Sequence, residues 1–209
     1  MKIAVLGWGS LIWDQRDLKL NDVWKNNGPL LPVEFARISN DGRLTLVLRE
    51  GSKSINVLWN LMNLDSLEEA RENLKEREGV PNIARIGFVN LINNTSQSRY
   101  DHVTSVIVEW AEKNSIDAVI WTDLGVKFKD SINLDFNHMN VISYLENLPS
   151  EKKTNAKKYI VNAPEQIATE LRGHIQEKMN WRKENEQQER KHAINFKSLI
   201  RKFLDMLNL

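Results

Sequence analysis

Cysteine is absent from the 209 residues. That excludes disulfides, cysteine-ligated zinc and thiol nucleophiles. Net charge is nearly absent as well: 29 Lys and Arg stand against 28 Asp and Glu, a formal +1. A dedicated nucleic-acid binder needs a basic surface, so no nucleic-acid partner is expected. Long apolar runs are missing. None approaches the ~20 residues of a membrane span, and Gly7 interrupts the N-terminal run before a secretory core can form. These absences together predict a cytoplasmic protein with no membrane span. Histidine is scarce: His102, His138, His174 and His192 are the whole set, and no two stand at metal-ligand spacing. No metal and no cofactor is expected.

What is present suffices for a core, with 41% hydrophobic residues and seven Trp. Strands are predicted at 2–6, 33–38, 44–48, 55–61, 86–92 and 118–121. Asn40-Asp41-Gly42 marks a turn between the second and third. Ser66 to Glu78 reads as a helix, with Ser66 and Glu69 as a capping box and Gly79 at the stop. Further helices are expected over 103–113 and 137–147, and 93–101 reads as a polar loop. Strands crowd the first 61 residues with no helix between them, which favours an antiparallel sheet or barrel over alternating β and α units.

The apolar run Ile3 to Leu6 empties into Gly7-Trp8-Gly9-Ser10. A strand ending in glycines exposes backbone N–H groups to a ligand. A dinucleotide loop needs a third glycine for close helix packing, and Ile12 stands there instead. Strands follow rather than a βαβ unit. A ligand-free strand-end turn is one remaining reading. The other is a carboxylate-binding loop, in which the N–H groups of Gly9, Ser10 and Leu11 hold a small anion and the Ser10 hydroxyl adds a donor.

The stretch Gly7-Trp8-Gly9-Ser10-Leu11 resembles the Tyr-Gly-Ser-Leu signature of the gamma-glutamylcyclotransferase-like family, in particular its ChaC-type branch. Leu58-Trp59-x-Leu61 is similar to the family's strand before its helix. Arg77-Glu78-Gly79-Val80 looks like the family's Glu-Gly helix terminus, and a strand follows at 86–92. The resemblance covers roughly residues 1–95. It implies an α+β protein with a mixed or antiparallel β-barrel-like core and flanking helices. It also implies Glu78 as catalytic acid/base, a substrate site at Trp8, Gly9, Ser10 and Leu11, and a small γ-glutamyl compound as substrate. Two positions depart from the pattern. Trp8 replaces the usual Tyr, and an indole N–H cannot accept a hydrogen bond. Pro81-Asn82-Ile83-Ala84 stand where the family tends to place a Tyr.

The 66–78 helix singles out Glu78 independently. At 100° per residue, Leu67, Ala70, Leu74 and Glu78 share one face, whereas Glu69, Glu72 and Glu76 fall on the far side. Arg71 is the one charged neighbour read onto that face. A carboxylate in the last turn also meets the negative end of the helix dipole, a cost of roughly 0.3–1 kcal/mol. An inward acid so placed is either paired, with Arg71, Arg77 or Arg85 as partners in reach, or functional. Arg37, following Phe35 in the 33–38 strand, is read as facing a substrate carboxylate. Trp8, Trp13, Trp24 and Trp59 serve as either pocket walls or core.

Residues 1–161 are taken as the main domain and 162–209 as a C-terminal helical extension packed on it or on a protein partner. Asn162 with Glu165 reads as a helix start, and Ile167, Leu171, Ile175 and Met179 form a stripe. A second stripe runs from Ile194 through Leu199, Ile200, Phe203 and Leu204 to Leu207, among Arg190, Lys191, Lys197, Arg201 and Lys202. Two functions stay open. One is cyclisation of a γ-glutamyl group to 5-oxoproline. The other is a lapsed enzyme that binds a small carboxylate and acts through its C-terminal helices.

Overall fold

The computed structural model describes residues 1–183. Strand β1 (Ile3–Gly7) is buried along its whole length. It pairs antiparallel with β6 (Leu58–Leu61) and parallel with β9 (Ala118–Thr122). Strand β9 pairs antiparallel with β7 (Ile86–Asn90), and β7 with β8 (Thr95–Gln97). The result is one mixed sheet in the order β6-β1-β9-β7-β8.

Period-2 alternation splits β1 between two core layers. Ile3 and Val5 pack with Ala70 and Leu74 of helix α1 (Leu67–Glu78). Ala4 and Leu6 face the larger layer, which holds Val103 and Ile107 of α2 (Asp101–Lys113). A sheet covered on both faces needs apolar residues at every position of an interior strand, and Ile-Ala-Val-Leu supplies them in β1.

The barrel-like expectation is corrected: no closed barrel forms among the described residues. The five-stranded sheet is open at β6 and β8. Strands β2 (Leu30–Leu31) and β5 (Ile55–Asn56) form one separate ladder, and β3 (Val33–Ile38) and β4 (Leu44–Leu48) another. The physical reason is the hairpin. The Asn40–Gly42 turn, with Gly42 at φ 85°, pairs β3 with β4 directly. Helices α3 (Phe128–Ile132), α5 (Ser150–Asn162) and α6 (Glu170–Met179) then pack on that hairpin.

The α1 boundaries match the capping argument. Ser66 accepts from the Glu69 N–H at 3.4 Å, and Gly79 closes the helix at φ 64°. Strand β8 lies in the segment read as a loop, and α3 and α5 went unread. Helix α4 (His138–Glu146) starts on Asn137, whose side chain accepts from the Asn140 N–H at 2.8 Å.

The helix start read at Asn162 is corrected. Asn162 ends α5, and α6 begins only at Glu170, capped by Thr169. Pro164 lies in the intervening turn, whose carbonyls the buried Arg172 side chain collects. Its guanidinium donates to Ala163 O at 2.8 Å, Pro164 O at 2.6 Å and Ile167 O at 3.1 Å. The Glu34 carboxylate of β3 accepts from the Leu171 N–H at 3.2 Å, placing negative charge at the start of α6. Ile167, Leu171 and Ile175 are buried in the main core with Trp181, so residues 162–183 share it. The second stripe and its basic residues lie outside the described residues. Among the described residues no helix is long and apolar enough to cross a membrane.

Candidate functional site

Trp8, Gly9, Ser10, Leu11, Arg37 and Glu78 all line one cavity of about 190 Å³. Strand β1 delivers the loop to its floor. The loop turns back on itself through Ile12 N–H to Gly9 O (3.0 Å) and Asp14 N–H to Ser10 O (2.8 Å). Helix α1 brings Glu78 in from its C-terminal end.

The loop glycines are there for close packing. Neither Gly7 nor Gly9 is among the residues at positive φ. A β-carbon on Gly7 would stand 2.7 Å from Ile12 Cδ1 and 2.8 Å from the Trp24 ring. On Gly9 it would collide with the Tyr159 hydroxyl. Real β-carbons do not sit so close, so glycine follows from contact at both positions.

Two further residues complete the site, one offered by the sequence only as one of three arginine partners for Glu78 and the other singled out by no sequence feature. The first is Arg77. Its side chain is 3% exposed, and its guanidinium donates to Glu78 Oε1 at 2.7 Å. It also donates to the Ser10 hydroxyl at 3.3 Å and to the Asp14 carbonyl. Arg77 therefore ties the end of α1 to the loop after β1 and fixes Glu78 beside Ser10. A signal for it exists: Ala70, Leu74 and Arg77 stand at i, i+4 and i+7, the spacing of a buried stripe. The reading of Arg71 as the charged neighbour of Glu78 is corrected. Arg71 lies over the Phe88 ring at 4.3 Å and donates to the Ile83 and Ile86 carbonyls.

The second is Tyr159 of α5. Its ring packs edge-on against Trp13 (centroids 5.4 Å apart) and Phe35 (6.4 Å). The Leu46 N–H donates to its hydroxyl at 3.5 Å. Burial pushes the hydroxyl up to about 12, and the nearby Glu78 charge acts in the same direction, while the Leu46 and Ser10 amides and Arg43 oppose it. The phenol stays protonated at neutral pH, and its residue lines the cavity. Helix α5 buries only Ala156, Tyr159 and Ile160, so its sequence carries little periodic signal.

Arg37 reaches the cavity because β3 slips against β4. Phe35 opposes Leu46 and Arg37 opposes Thr45, so one extra residue sits on β3. The bulge separates a fully buried Phe35 from a half-buried Arg37. Arg37 donates to the Gly125 carbonyl at 2.9 Å. Burial lowers its pKa, and the like charges of Arg85 and Arg99 add to the effect. Arg43 also lines the cavity, held by Asp41 at 2.6 Å.

The four tryptophans divide. Trp8 is buried and lines the cavity, and Trp13 borders an adjoining hollow shared with Arg43 and Tyr159. Trp24 packs behind Gly7. Trp59 is core, edge-on to Trp110 at 5.1 Å. The assembled site thus offers the Glu78 carboxylate, the Tyr159 phenol, the hydroxyls of Ser10, Ser39 and Thr45, and the guanidinium groups of Arg37 and Arg43. That set can bind a small zwitterion or anion and move protons. No family model, no curated protein and no solved structure matches the chain.

Proposed function

We propose that this chain is a gamma-glutamylcyclotransferase-like enzyme that converts a γ-glutamyl amine to 5-oxoproline and the free amine. The observation that carries the reading is the shared cavity: the Glu78 carboxylate and the Gly9–Leu11 loop line the same space.

The chemistry needs no cofactor. The α-amine of the glutamyl group is its own nucleophile. Glu78 takes a proton from the α-ammonium, and the freed amine attacks the γ-carbonyl carbon. A C–N bond forms, closing a five-membered ring. The original γ-amide C–N bond breaks as the leaving nitrogen receives that proton from Glu78, and the ring nitrogen then passes its second proton through Glu78 to the released amine, which departs as an ammonium. Intramolecular attack has a high effective molarity, so orientation and proton transfer are the enzyme's main tasks. Arg37 is suited to the α-carboxylate and the loop amides to the glutamyl end. The Tyr159 phenol supplies a donor to the carbonyl oxygen as charge builds on it. Arg77 orients Glu78 without touching substrate.

A specific contact favours a second reading, in which the cavity binds a γ-glutamyl or small carboxylate ligand without turnover. Arg77 already occupies one oxygen of Glu78. The deciding experiment measures 5-oxoproline release over a panel of γ-glutamyl amines with wild type and Glu78→Gln. Release by wild type and none by a folded E78Q supports the enzyme. Equal release by E78Q removes Glu78 from the mechanism. Saturable binding without release supports the binding module.

A further inference from the structure

The geometry points to a transition-metal site of the zinc class on the surface between α4 and α6, formed by His138, Glu170 and His174. It lies apart from the cavity and is independent of the proposed chemistry.

No sequence motif announces these residues, because His138 and His174 stand far apart in the chain. Helix α6 presents Glu170 and His174 at i and i+4, hence on one face. Helix α4 packs against α6 and presents His138 as its first residue. One ligand atom from each of the three lies within 4.8 Å of the other two. His138 Nε2 is 3.9 Å from Glu170 Oε1, and the two imidazole rings lie with centroids 4.1 Å apart, tilted 38° to each other. Ligands about 2.0–2.1 Å from a tetrahedral zinc stand roughly 3.4 Å from one another. The proposed site requires the three side chains to close that difference on binding the ion.

The donor set selects the ion. Two imidazoles and one carboxylate suit Zn²⁺ and its borderline neighbours, whereas Mg²⁺ and Ca²⁺ prefer oxygen ligands throughout. Both histidines are half-buried and Glu170 is exposed, so an ion can enter from solvent. The three ligands found among the described residues leave one further coordination position. No cavity of the first site adjoins the cluster, so the ion acts as a cross-link. Helix α6 is already fixed to β3 through Glu34 and Leu171. Zinc fixes α4 to the same helix and stabilises the folded state by mass action.

The test uses the full chain without a histidine tag, titrated with zinc chloride by calorimetry and followed by thermal unfolding. One zinc per chain is expected, with a rise in Tm on saturation. His138→Ala, Glu170→Gln and His174→Ala each weaken binding by at least the ~10- to 100-fold that loss of an outer-shell partner costs a metal site. His102→Ala leaves it unchanged. Circular dichroism confirms that each variant is folded. Absence of saturable one-to-one binding at millimolar zinc overturns the site. So does binding that survives H138A and H174A, or that is lost in H102A.

Discussion

The hydroxyl of Tyr159 sits so close to Gly9 that a β-carbon at position 9 would collide with it. The glycine of the first loop and the tyrosine of a late helix therefore constrain each other. The relationship gives a double-mutant prediction. Gly9→Ala forces the hydroxyl away and costs about 1–3 kcal/mol, the usual range for overpacking. Tyr159→Phe removes that oxygen, leaving the ring carbon at an ordinary 3.5 Å from the new methyl. In the Y159F background, G9A costs much less. Urea unfolding of the four proteins measures the coupling, and additive penalties contradict the contact.

The same tyrosine sets an alkaline stability limit. Its folded pKa is raised from the ordinary 10.0 to about 12. The folded chain holds the proton longer than the unfolded chain. The resulting stability is fully present below about pH 10 and is lost as pH rises toward 12. Two pKa units correspond to at most about 3 kcal/mol. Wild type should lose this component in urea melts between pH 9 and pH 12, values on the order of the tyrosine pKa range. Y159F should lack it. Identical pH profiles for the two proteins would exclude the buried phenol.

Arg77 and Glu78 separate stability from turnover. Arg77→Met leaves Glu78 unpaired and the Asp14 carbonyl without its donor. Glu78 is 17% exposed, so water recovers part of the loss, and a cost of about 3 kcal/mol is expected. Glu78→Gln keeps a hydrogen-bond acceptor and should cost less than half as much while ending turnover. An R77M protein as stable as E78Q would show that Arg77 does not fasten the loop to α1.

Arg172 should prove a structural residue with no catalytic part. Its guanidinium binds three carbonyls of the turn between α5 and α6. Arg172→Met strands them and should cost at least about 2 kcal/mol. Ligand affinity at the cavity, whose lining does not include Arg172, should stay unchanged once the protein is folded. A stable R172M, or one that loses affinity at constant stability, refutes this role.

Much of the architecture is legible in the residue order. Buried strands such as β1 and β3 announce themselves by apolar content, and α1 by its cap and stop. Helix α5 does not, because it is polar along nearly its whole length and buries three side chains. The α6 start was misplaced because Asn162 and Glu165 have capping chemistry, yet the carbonyls there are met by Arg172. The barrel expectation failed for a related reason. Strand propensity says that β3 and β4 exist, whereas the turn that pairs them with each other and the helices packed on that hairpin set it apart from the main sheet.

The sequence by itself determined the local units: a glycine loop after a buried strand, an acid at the end of an amphipathic helix, and the exclusion of thiol chemistry. Only the tertiary structure decided that loop and acid share a cavity, that Arg77 holds them together, and that Tyr159 fills the space a side chain at position 9 would need. It alone brought His138 to Glu170 and His174. Local patterning reflects propensities over a few residues, and these contacts join segments far apart in the chain. Their geometry is set by how the sheet and helices pack.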